Sequence, residues 1–383
     1  MLSSLGNKLK ISVFGESHAP ETGVVIDGFP KDKFINKDML QSFLDRRRPG
    51  KNKFSTPRSE ADKPIFESGL DENGITNGEV IRAVIKNTNI RSSDYDNLKD
   101  CPRPGHADYS ARIKYGDTVD MSGGGPFSGR LTAPVCVAGG MCLPLLSEKG
   151  ITVGAHILSI GKVCEKDFSA ALPPTLDSAR AFLKSIDEKE FPVIDDNAGE
   201  MMKAEIQKAA ADSDSVGGVV ECTVVGLPAG LGGPLFDGVE SRLASALFGI
   251  PAVKAVESGN GVEAATLKGS ENNDPFCYEN GMVKTKTNHH GGILGGITTG
   301  MPLTFKVYFK PTPSISKPQL TVNLKTKENT EIVIKGRHDP CIVPRAVPVV
   351  EAVAALVITD LLLESGCDFT YTYQFLERST PEC

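Results

Sequence analysis

Glycine is concentrated in four short segments, and this constrains the fold more than any other feature of the chain. The sequence of 383 residues contains 39 glycines and no tryptophan. The glycine-rich segments are 122–129 (SGGGPFSG), 226–234 (GLPAGLGGP), 257–261 (ESGNG) and 289–300 (HHGGILGGITTG). Glycine accepts positive φ angles and lets the backbone approach a neighbour or a ligand closely. The clusters therefore predict either tight turns between strands or loops that line a ligand site.

Hydrophobic periodicity predicts helices and short strands intermixed along the chain. Amphipathic or wholly apolar spacing predicts helices at 37–48, 130–146, 200–211, 238–248 and 349–363. Short β-branched runs predict strands at 10–14, 23–26, 219–225, 303–309 and 331–334. The order lacks the regular alternation of a parallel α/β barrel, and no Pro/Ser/Gly linker divides the chain. We therefore expect an α+β protein with one large domain, 1–383.

Composition excludes several classes of protein. Hydrophobic residues make up 40% of the chain and charged residues 23%, which is typical of globular proteins rather than disordered ones. The nine cysteines include no C-x-x-C pair, so we expect neither a disulfide framework nor a metal site of the zinc-ribbon type. The most apolar stretch, 347–363, is interrupted by Pro348, Glu351 and Asp360, and residues 1–10 contain no apolar run. We expect a cytoplasmic protein that neither crosses a membrane nor carries a signal peptide.

Histidines and cations are placed where they could form a site. Five of the six histidines stand beside or near Gly, Pro or Arg, a context typical of loops: His18, His106, His289, His290 and His338. The segment 46–58 contains six cations and no acid, although the net charge is −6. Arginine beside glycine-rich backbone is suited to binding a small polyanion. A solvated basic surface and nucleic-acid binding remain alternatives, but the net charge and the lack of interleaved aromatics disfavour nucleic acid.

Specific strings, in order over nearly the whole chain, resemble the chorismate synthase family. They are FGESH (14–18), LDRRRPG (44–50), RSSDY (91–95), RPGHADY (103–109), the GGG…SGR…TA block (123–133), PAGLG (228–232), VESGNG (256–261), NHHGGILGGITTG (288–300), KPTPSI (310–315) and GRHDPC…PRAVP (336–348). The chain contains neither a P-loop motif nor a G-x-G-x-x-G motif placed after a strand.

The resemblance implies a function and a fold. The family eliminates phosphate and a ring hydrogen from 5-enolpyruvylshikimate 3-phosphate to give chorismate, and it requires reduced FMN without net redox change. The implied fold is a β-α-β sandwich, with helices between two antiparallel sheets, assembled as a homotetramer. The compact length of the chain is similar to that of members that depend on an external flavin reductase, in which NADPH is a possible source of electrons.

The resemblance also implies roles for individual residues. His18 would protonate the departing phosphate, His106 would protonate or polarise the reduced flavin, and Asp339 would act with a flavin nitrogen in proton removal. The residues that match substrate-binding positions are Arg47, Lys53, Arg103 and Arg130, and positions 47 and 53 also match nicotinamide-nucleotide contacts. The residues that match FMN contacts are Ser128, Pro251, Ala252, Gly295, Lys310, Pro311, Thr312, Pro313, Ser314 and Arg337.

Three departures from the family pattern leave alternative functions open. Lys53 replaces an arginine, Pro126 and Phe127 replace a basic residue and a serine, and Pro313 replaces a serine. Proline removes a backbone donor, and lysine lacks the two-pronged geometry of arginine. A catalytically silent homologue that binds FMN or an anion, and a different flavin-dependent lyase, are therefore the alternatives.

Overall fold

The computed structural model of the chain describes residues 3–50, 60–87, 100–116, 118–279, 281–336 and 338–366. The strands are β1 Ser3–Leu5, β2 Lys10–Gly15, β3 Glu21–Asp27, β4 Pro64–Ser68, β5 Ile81–Lys86, β6 Thr152–Ile160, β7 Val163–Cys164, β8 Gly218–Val225, β9 Ala229–Gly232, β10 Val253–Ser258, β11 Phe276–Glu279, β12 Met282–Thr285, β13 Ile293–Leu294, β14 Ile297–Thr299, β15 Leu303–Phe309, β16 Gln319–Asn323 and β17 Glu328–Ile332. The α-helices are α1 Lys37–Arg47, α2 Asp108–Tyr115, α3 Thr132–Glu148, α4 Phe168–Ala171, α5 Leu176–Asp187, α6 Asp196–Ala211, α7 Val239–Phe248, α8 Gly269–Asn272 and α9 Val343–Glu364.

Two five-stranded antiparallel sheets form the framework. The first has the strand order β1-β2-β3-β5-β4, and the second has the order β10-β15-β8-β6-β7. In the second sheet β15 and β8 pair without interruption from Leu303 opposite Val224 to Phe309 opposite Gly218. Alternate residues of β15 are buried, as expected for a strand with one face on the core. Shorter hairpins lie outside these two sheets.

Helices α3 and α9 connect the two sheets through the core. Helix α3 packs on strands of the first sheet, α9 packs on β6 and β8 of the second sheet, and the two helices pack on each other. A Cβ atom on Gly139 of α3 would lie 2.5 Å from the Cα of Ala352 in α9, so glycine permits the close approach of the helices. Their side chains belong to one large hydrophobic cluster, which fixes the positions of the loops at the helix ends.

Both long apolar helices are core helices. The segments Gly129–Glu148 and Val343–Glu364 are long and apolar enough to cross a membrane, but 67% and 94% of their apolar windows are buried inside the fold. The sequence predicted an apolar helix in the second segment and noted Glu351 and Asp360 as interruptions of its apolar character. Both side chains are buried and bonded: Arg46 binds Glu351, and the backbone N–H groups of residues 7–9 bind Asp360.

The mixed α+β prediction is confirmed, and the differences lie mainly in the centre of the second sheet. All five predicted helices exist, although α6 and α9 begin four and six residues earlier than expected, at Asp196 and Val343. The sequence did not predict β6, the strand that carries the buried His156 and Gly154, nor the amphipathic α5. The strand expected at 331–334 lies at Glu328–Ile332, where it pairs with β16 as a hairpin.

Candidate active site

A cavity of about 550 Å³ opens between the loop before α2, the glycine loop before α3, the end of α7 and the start of α9. Six cationic side chains line it, against two acidic ones, Glu60 and Asp339. The cations are Arg47, Arg103, Arg130, Lys254, Lys310 and Arg345. Its volume is in the range of small-molecule sites. In a chain of net charge −6, such a lining is suited to an anionic ligand.

The glycine loop at Ser122–Phe127 contacts the two predicted catalytic histidines, His18 and His106. Gly123, Gly124 and Gly125 have φ values of 60°, 97° and 51°, which explains why three glycines are needed in succession. A Cβ atom on Gly123 would collide with the ring of His18. A Cβ atom on Gly124 would lie 3.2 Å from Nε2 of His106. The rings of His18 and His106 therefore both lie against the loop, at positions where the loop carries no side chains.

His106 is held by the side chain of Asp108. Nδ1 of His106 lies 2.6 Å from Oδ1 of Asp108, and the same carboxylate accepts hydrogen bonds from Nε and Nη2 of Arg103, each at 2.7 Å. Burial alone would raise the pKa of Asp108, but the hydrogen bonds from Arg103 and His106 outweigh it and hold the pKa well below its ordinary value. Arg103 also reaches Ser314, with Nη1 3.3 Å from its Oγ.

Arg47 and Arg130 share one buried carboxylate, that of Asp62. Burial would raise the pKa of Asp62, but the charges of Arg47 and Arg130 outweigh it and lower the pKa. Arg130 also binds Glu60 at 2.7 Å and donates from Nε to Asn87 at 2.9 Å, whereas its buried Nη2 has no hydrogen-bond partner within the part of the chain that the structure describes.

Arg47 is 2% exposed and differs from Arg130 in one respect. Its Nε donates to Thr132 at 3.0 Å, its Nη2 donates to the carbonyl of Gly129 at 3.1 Å, and its Nη1 binds Asp62. Every nitrogen of the Arg47 guanidinium thus has a partner within the protein, whereas Nη2 of Arg130 has none among the described residues.

Asp339 also lines the cavity, where it forms an ion pair with Arg345. Nη1 of Arg345 is 2.5 Å from Oδ2 of Asp339, and its Nε donates to the backbone carbonyl of Arg47 at 3.0 Å. The neighbouring His338 also lines the cavity and has Nε2 3.1 Å from the carbonyl of Ile334. Burial lowers the pKa of His338, so its ring is held in the neutral form.

Most of the predicted cofactor-binding residues lie together on one wall. Those that line the cavity are Ser128, Pro251, Ala252, Lys310, Thr312, Pro313 and Ser314. Ala252 adopts a φ of 75°, a left-handed conformation that costs energy for a residue with a Cβ atom and that clusters at functional sites. The buried hydroxyl of Thr312 has no hydrogen-bond partner among the residues described in the structure. The side chains of Phe127 and Phe248 add apolar surface to the cavity.

Some predicted site residues lie elsewhere. Gly295 is an exposed residue between β13 and β14, outside the cavity lining, and Pro311 lies between two lining residues without lining the cavity itself. His18 stands behind Gly123 and is not a lining residue. Lys53 and Arg337 lie outside the described residues.

The sequence predicted Asp339 but missed the other acidic residues of the site, Asp108, Asp62 and Glu60. Asp108 stands in the RPGHADY string, where its two-residue distance from His106 was a usable signal. Asp62 and Glu60 carried no such signal, because they reach Arg130 across 68 and 70 positions of the chain. Arg345 stands in the GRHDPC…PRAVP string (336–348), but no role was predicted for it. Within the described ranges, no cluster of three or more His, Cys, Asp or Glu side chains could hold a metal ion.

Comparison with known proteins gives one consistent result. The family model described as chorismate synthase matches residues 9–363. A chorismate synthase from Pyrococcus abyssi is 48% identical over 360 residues, covering 94% of this chain and 97% of that protein. One from Dehalococcoides mccartyi (strain 195) is 47% identical over 366 residues, with coverages of 96% and 98%. A crystal structure of chorismate synthase superimposes with a TM-score of 0.74 at 28% identity, covering 94% of this chain and 93% of that chain.

Proposed function

The chain belongs to the chorismate synthase family, whose members convert 5-enolpyruvylshikimate 3-phosphate to chorismate in the biosynthesis of aromatic amino acids, and we propose that the cavity described above is where this lyase acts. The observation that carries the proposal is the convergence of Arg103, His106, Arg130, Lys310 and Asp339 on one cavity. These residues come from distant parts of the sequence and supply both anion binding and proton transfer.

The residues present fit the reduced FMN that the family uses. The cavity combines cations for a phosphate with the apolar side chains of Phe127 and Phe248 for a ring system. Two buried polar atoms, Oγ1 of Thr312 and Nη2 of Arg130, have no hydrogen-bond partner among the described residues, and each could donate to an anionic ligand. We assign Ser128, Pro251, Ala252 and the segment 310–314 to holding the cofactor; Gly295 and Arg337 remain predictions for the same role. When bound, the reduced flavin supplies the transient reducing equivalent that the elimination needs.

We assign proton transfer to the two histidines on either side of the glycine loop. Nδ1 of His18 lies 2.9 Å from the carbonyl oxygen of Ser122, and a carbonyl only accepts, so Nδ1 carries a hydrogen and Nε2 is the nitrogen that exchanges a proton. His18 would donate that proton to the departing phosphate. His106, whose Nε2 is on the side of Gly124, would hold or donate a proton on the flavin side. General acids of this kind contribute about 10²–10⁴-fold in rate.

Asp339 would act with a flavin nitrogen in removing the proton that the substrate ring loses. Its ion pair with Arg345 at 2.5 Å fixes the orientation of the carboxylate. Arg345 in turn donates a hydrogen bond to the backbone carbonyl of Arg47, so the ion pair with Asp339 is held in place beside Arg47.

The arginines divide the work of binding the substrate. All three arginines line the cavity. Arg130 and Arg103 would bind phosphate and carboxylate, whereas Arg47, whose nitrogens all have internal partners, would support Arg130 through Asp62. The sequence-based role of Arg47 as a direct ligand therefore stays a prediction, as does that of Lys53.

The wider organisation is also part of the proposal. We expect the two sheets with α3 and α9 to form a β-α-β sandwich, a single domain spanning 1–383, in a cytoplasmic homotetramer. Large apolar side chains on the surface, among them Leu235 and Phe236 at 80% and 88% exposure, are typical of surfaces that become covered on assembly. Light scattering gives the mass that checks this. An external flavin reductase that uses NADPH would supply reduced FMN.

The proposal is tested with an anaerobic assay of chorismate formation, using chemically reduced FMN and 5-enolpyruvylshikimate 3-phosphate. His106→Ala should lower kcat by about 10²–10⁴-fold. His289→Ala is the matched control, because His289 lies outside the cavity lining, and it should keep wild-type turnover. Equal activity of the two variants would remove His106 from the mechanism.

The same assay distinguishes the remaining alternative. A silent homologue would bind FMN and the substrate but form no chorismate, because Pro126, Phe127 and Pro313, all of which line the cavity, would have disabled it. Titration of FMN fluorescence alongside the assay separates lost binding from lost turnover.

A further inference from the structure

The carboxylate of Asp108 accepts four hydrogen bonds, and one of them comes from His106. Oδ2 of Asp108 accepts from the backbone N–H of Arg103 at 2.9 Å and from Nε of Arg103 at 2.7 Å. Oδ1 accepts from Nη2 of Arg103 at 2.7 Å and is 2.6 Å from Nδ1 of His106. Asp108 is 8% exposed, so water competes little for these bonds.

These contacts determine the tautomer of His106. An ionised carboxylate has no hydrogen to donate, so a distance of 2.6 Å requires the hydrogen to be on Nδ1 of the ring. Nη2 of Arg103 also lies 3.1 Å from that Nδ1, but a guanidinium cannot donate to a protonated nitrogen, and one of the two hydrogens on Nη2 is already directed to Asp108. If Nδ1 were unprotonated, its lone pair would face the carboxylate oxygen at 2.6 Å, which is repulsive.

The other ring nitrogen is thereby directed to the active cavity. With Nδ1–H bound to Asp108, Nε2 is the nitrogen that can exchange a proton, and it lies on the side of Gly124 in the glycine loop. The orientation of a histidine by a carboxylate on its remote nitrogen is a general device, which fixes both the tautomer and the direction of the ring.

We propose that Asp108 is a positioning residue, which holds His106 in the Nδ1–H tautomer with Nε2 toward the cavity and aligns the guanidinium of Arg103 with the same carboxylate. The inference rests on the proposed function, because it gives His106 a proton to transfer. Asp108 itself does not line the cavity, so it acts through the two residues that do.

Asp108→Asn is the informative substitution. An asparagine must place its oxygen toward Nε and the backbone N–H of Arg103, so its NH₂ group would face Nδ1 of His106. That arrangement favours the opposite tautomer, with the hydrogen on Nε2. We expect kcat to fall by about 10²–10⁴-fold, as is usual for a misdirected catalytic histidine. Asp108→Glu keeps the carboxylate and should recover part of the activity.

A double-mutant cycle separates positioning from a general structural effect. In a His106→Ala background, Asp108→Asn should lower kcat no further, because the group through which Asp108 acts is gone. An effect transmitted through Arg103 alone would appear in KM and would persist in that background. If the losses of the two single variants multiply, the proposal is wrong.

A spectroscopic measurement tests the tautomer directly. With ¹⁵N-labelled histidine, the nitrogen chemical shifts of His106 should report Nδ1–H in the wild type and Nε2–H in Asp108→Asn, with the resonance assigned through His106→Ala. An unchanged tautomer would also overturn the inference. Full activity in His106→Ala would instead contradict the proposed function, whereas loss in His106→Ala with normal turnover in Asp108→Asn would contradict only the inference.

Discussion

His106 and His156 are both held by carboxylates, yet their surroundings give them different capacities. Nδ1 of His106 binds Asp108, its Nε2 lies beside a glycine loop at the cavity, and its side chain is 14% exposed. His156, in the middle of β6, is fully buried and has Nδ1 2.5 Å from Glu165 and Nε2 2.9 Å from Glu221. Both nitrogens of His156 are therefore committed to the fold.

The pair of glutamates around His156 also joins separate segments. Glu165 accepts the backbone N–H groups of Ile194 and Asp195, at 2.9 and 2.8 Å, and Glu221 accepts that of Phe168 at 2.6 Å. The difference from His106 teaches that a histidine–carboxylate contact does not by itself indicate catalysis. What matters is whether a ring nitrogen remains for a ligand.

The largest expected contrast is in stability. His156→Ala leaves Glu165 and Glu221 buried without their cation, and breaking a buried ion pair from one side costs about 3–5 kcal/mol of unfolding free energy. His106→Ala should cost much less, because its site is open to the cavity. Urea denaturation of the two variants measures this, and equal unfolding free energies would contradict the comparison.

The same reasoning distinguishes two arginines of the cavity. Arg130→Lys removes the unpartnered Nη2, so KM for the phosphorylated substrate should rise about 10- to 100-fold, the value of a charge-assisted hydrogen bond. Arg47→Lys is the matched control, since all its nitrogens serve internal partners; it should lower stability more than it changes KM. Steady-state kinetics beside urea denaturation separates the two effects, and a similar rise in KM for both variants would assign Arg47 to the substrate.

The smallest expected effect is a pH dependence of stability from His156. Burial would lower the pKa of His156, but hydrogen bonds to Glu165 and Glu221 outweigh it and raise the pKa. Its stabilisation is therefore complete below the unfolded pKa of about 6.5 and is lost as the pH rises through the folded pKa, by at most about 1.4 kcal/mol per pH unit.

The matching measurement compares the wild type with His156→Gln from pH 6 to 9. The difference in unfolding free energy should be largest at the acidic end and shrink with rising pH. Taking the difference cancels other titrating groups, such as Asp187, whose pKa burial and the charge of Glu351 raise to about 8. A difference that does not change with pH would show that His156 is neutral in the folded protein.

Local features of the site could be predicted from the sequence. The contacts among Arg103, His106 and Asp108 are local in sequence, because residues two to five positions apart meet at the start of α2. The succession of glycines at 123–125 likewise predicted unusual backbone, which the positive φ angles confirm. The helices with strong apolar periodicity were found for the same reason: their pattern is a property of neighbouring residues.

Other features were not predictable, since they depend on segments far apart in the chain. Local context marked His18, His106, His289 and His290 equally as loop residues. The family resemblance singled out the first two, and the packing of the glycine loop shows that both of them contact it. The strand β6 was missed because burial on both faces removed the alternation by which strands are recognised.

The sequence by itself determined the family, through motif strings in a fixed order, and it determined which residue types could bind anions and move protons. Tertiary structure alone decided which of them are available. Asp62 neutralises Arg47 and Arg130 from 15 and 68 positions away, and Glu221 occupies His156 from 65 positions away. The physical reason is that a polar group can bind a ligand or transfer a proton only through donors and acceptors that are not already hydrogen-bonded within the protein. Folding alone brings the internal hydrogen-bond partners together.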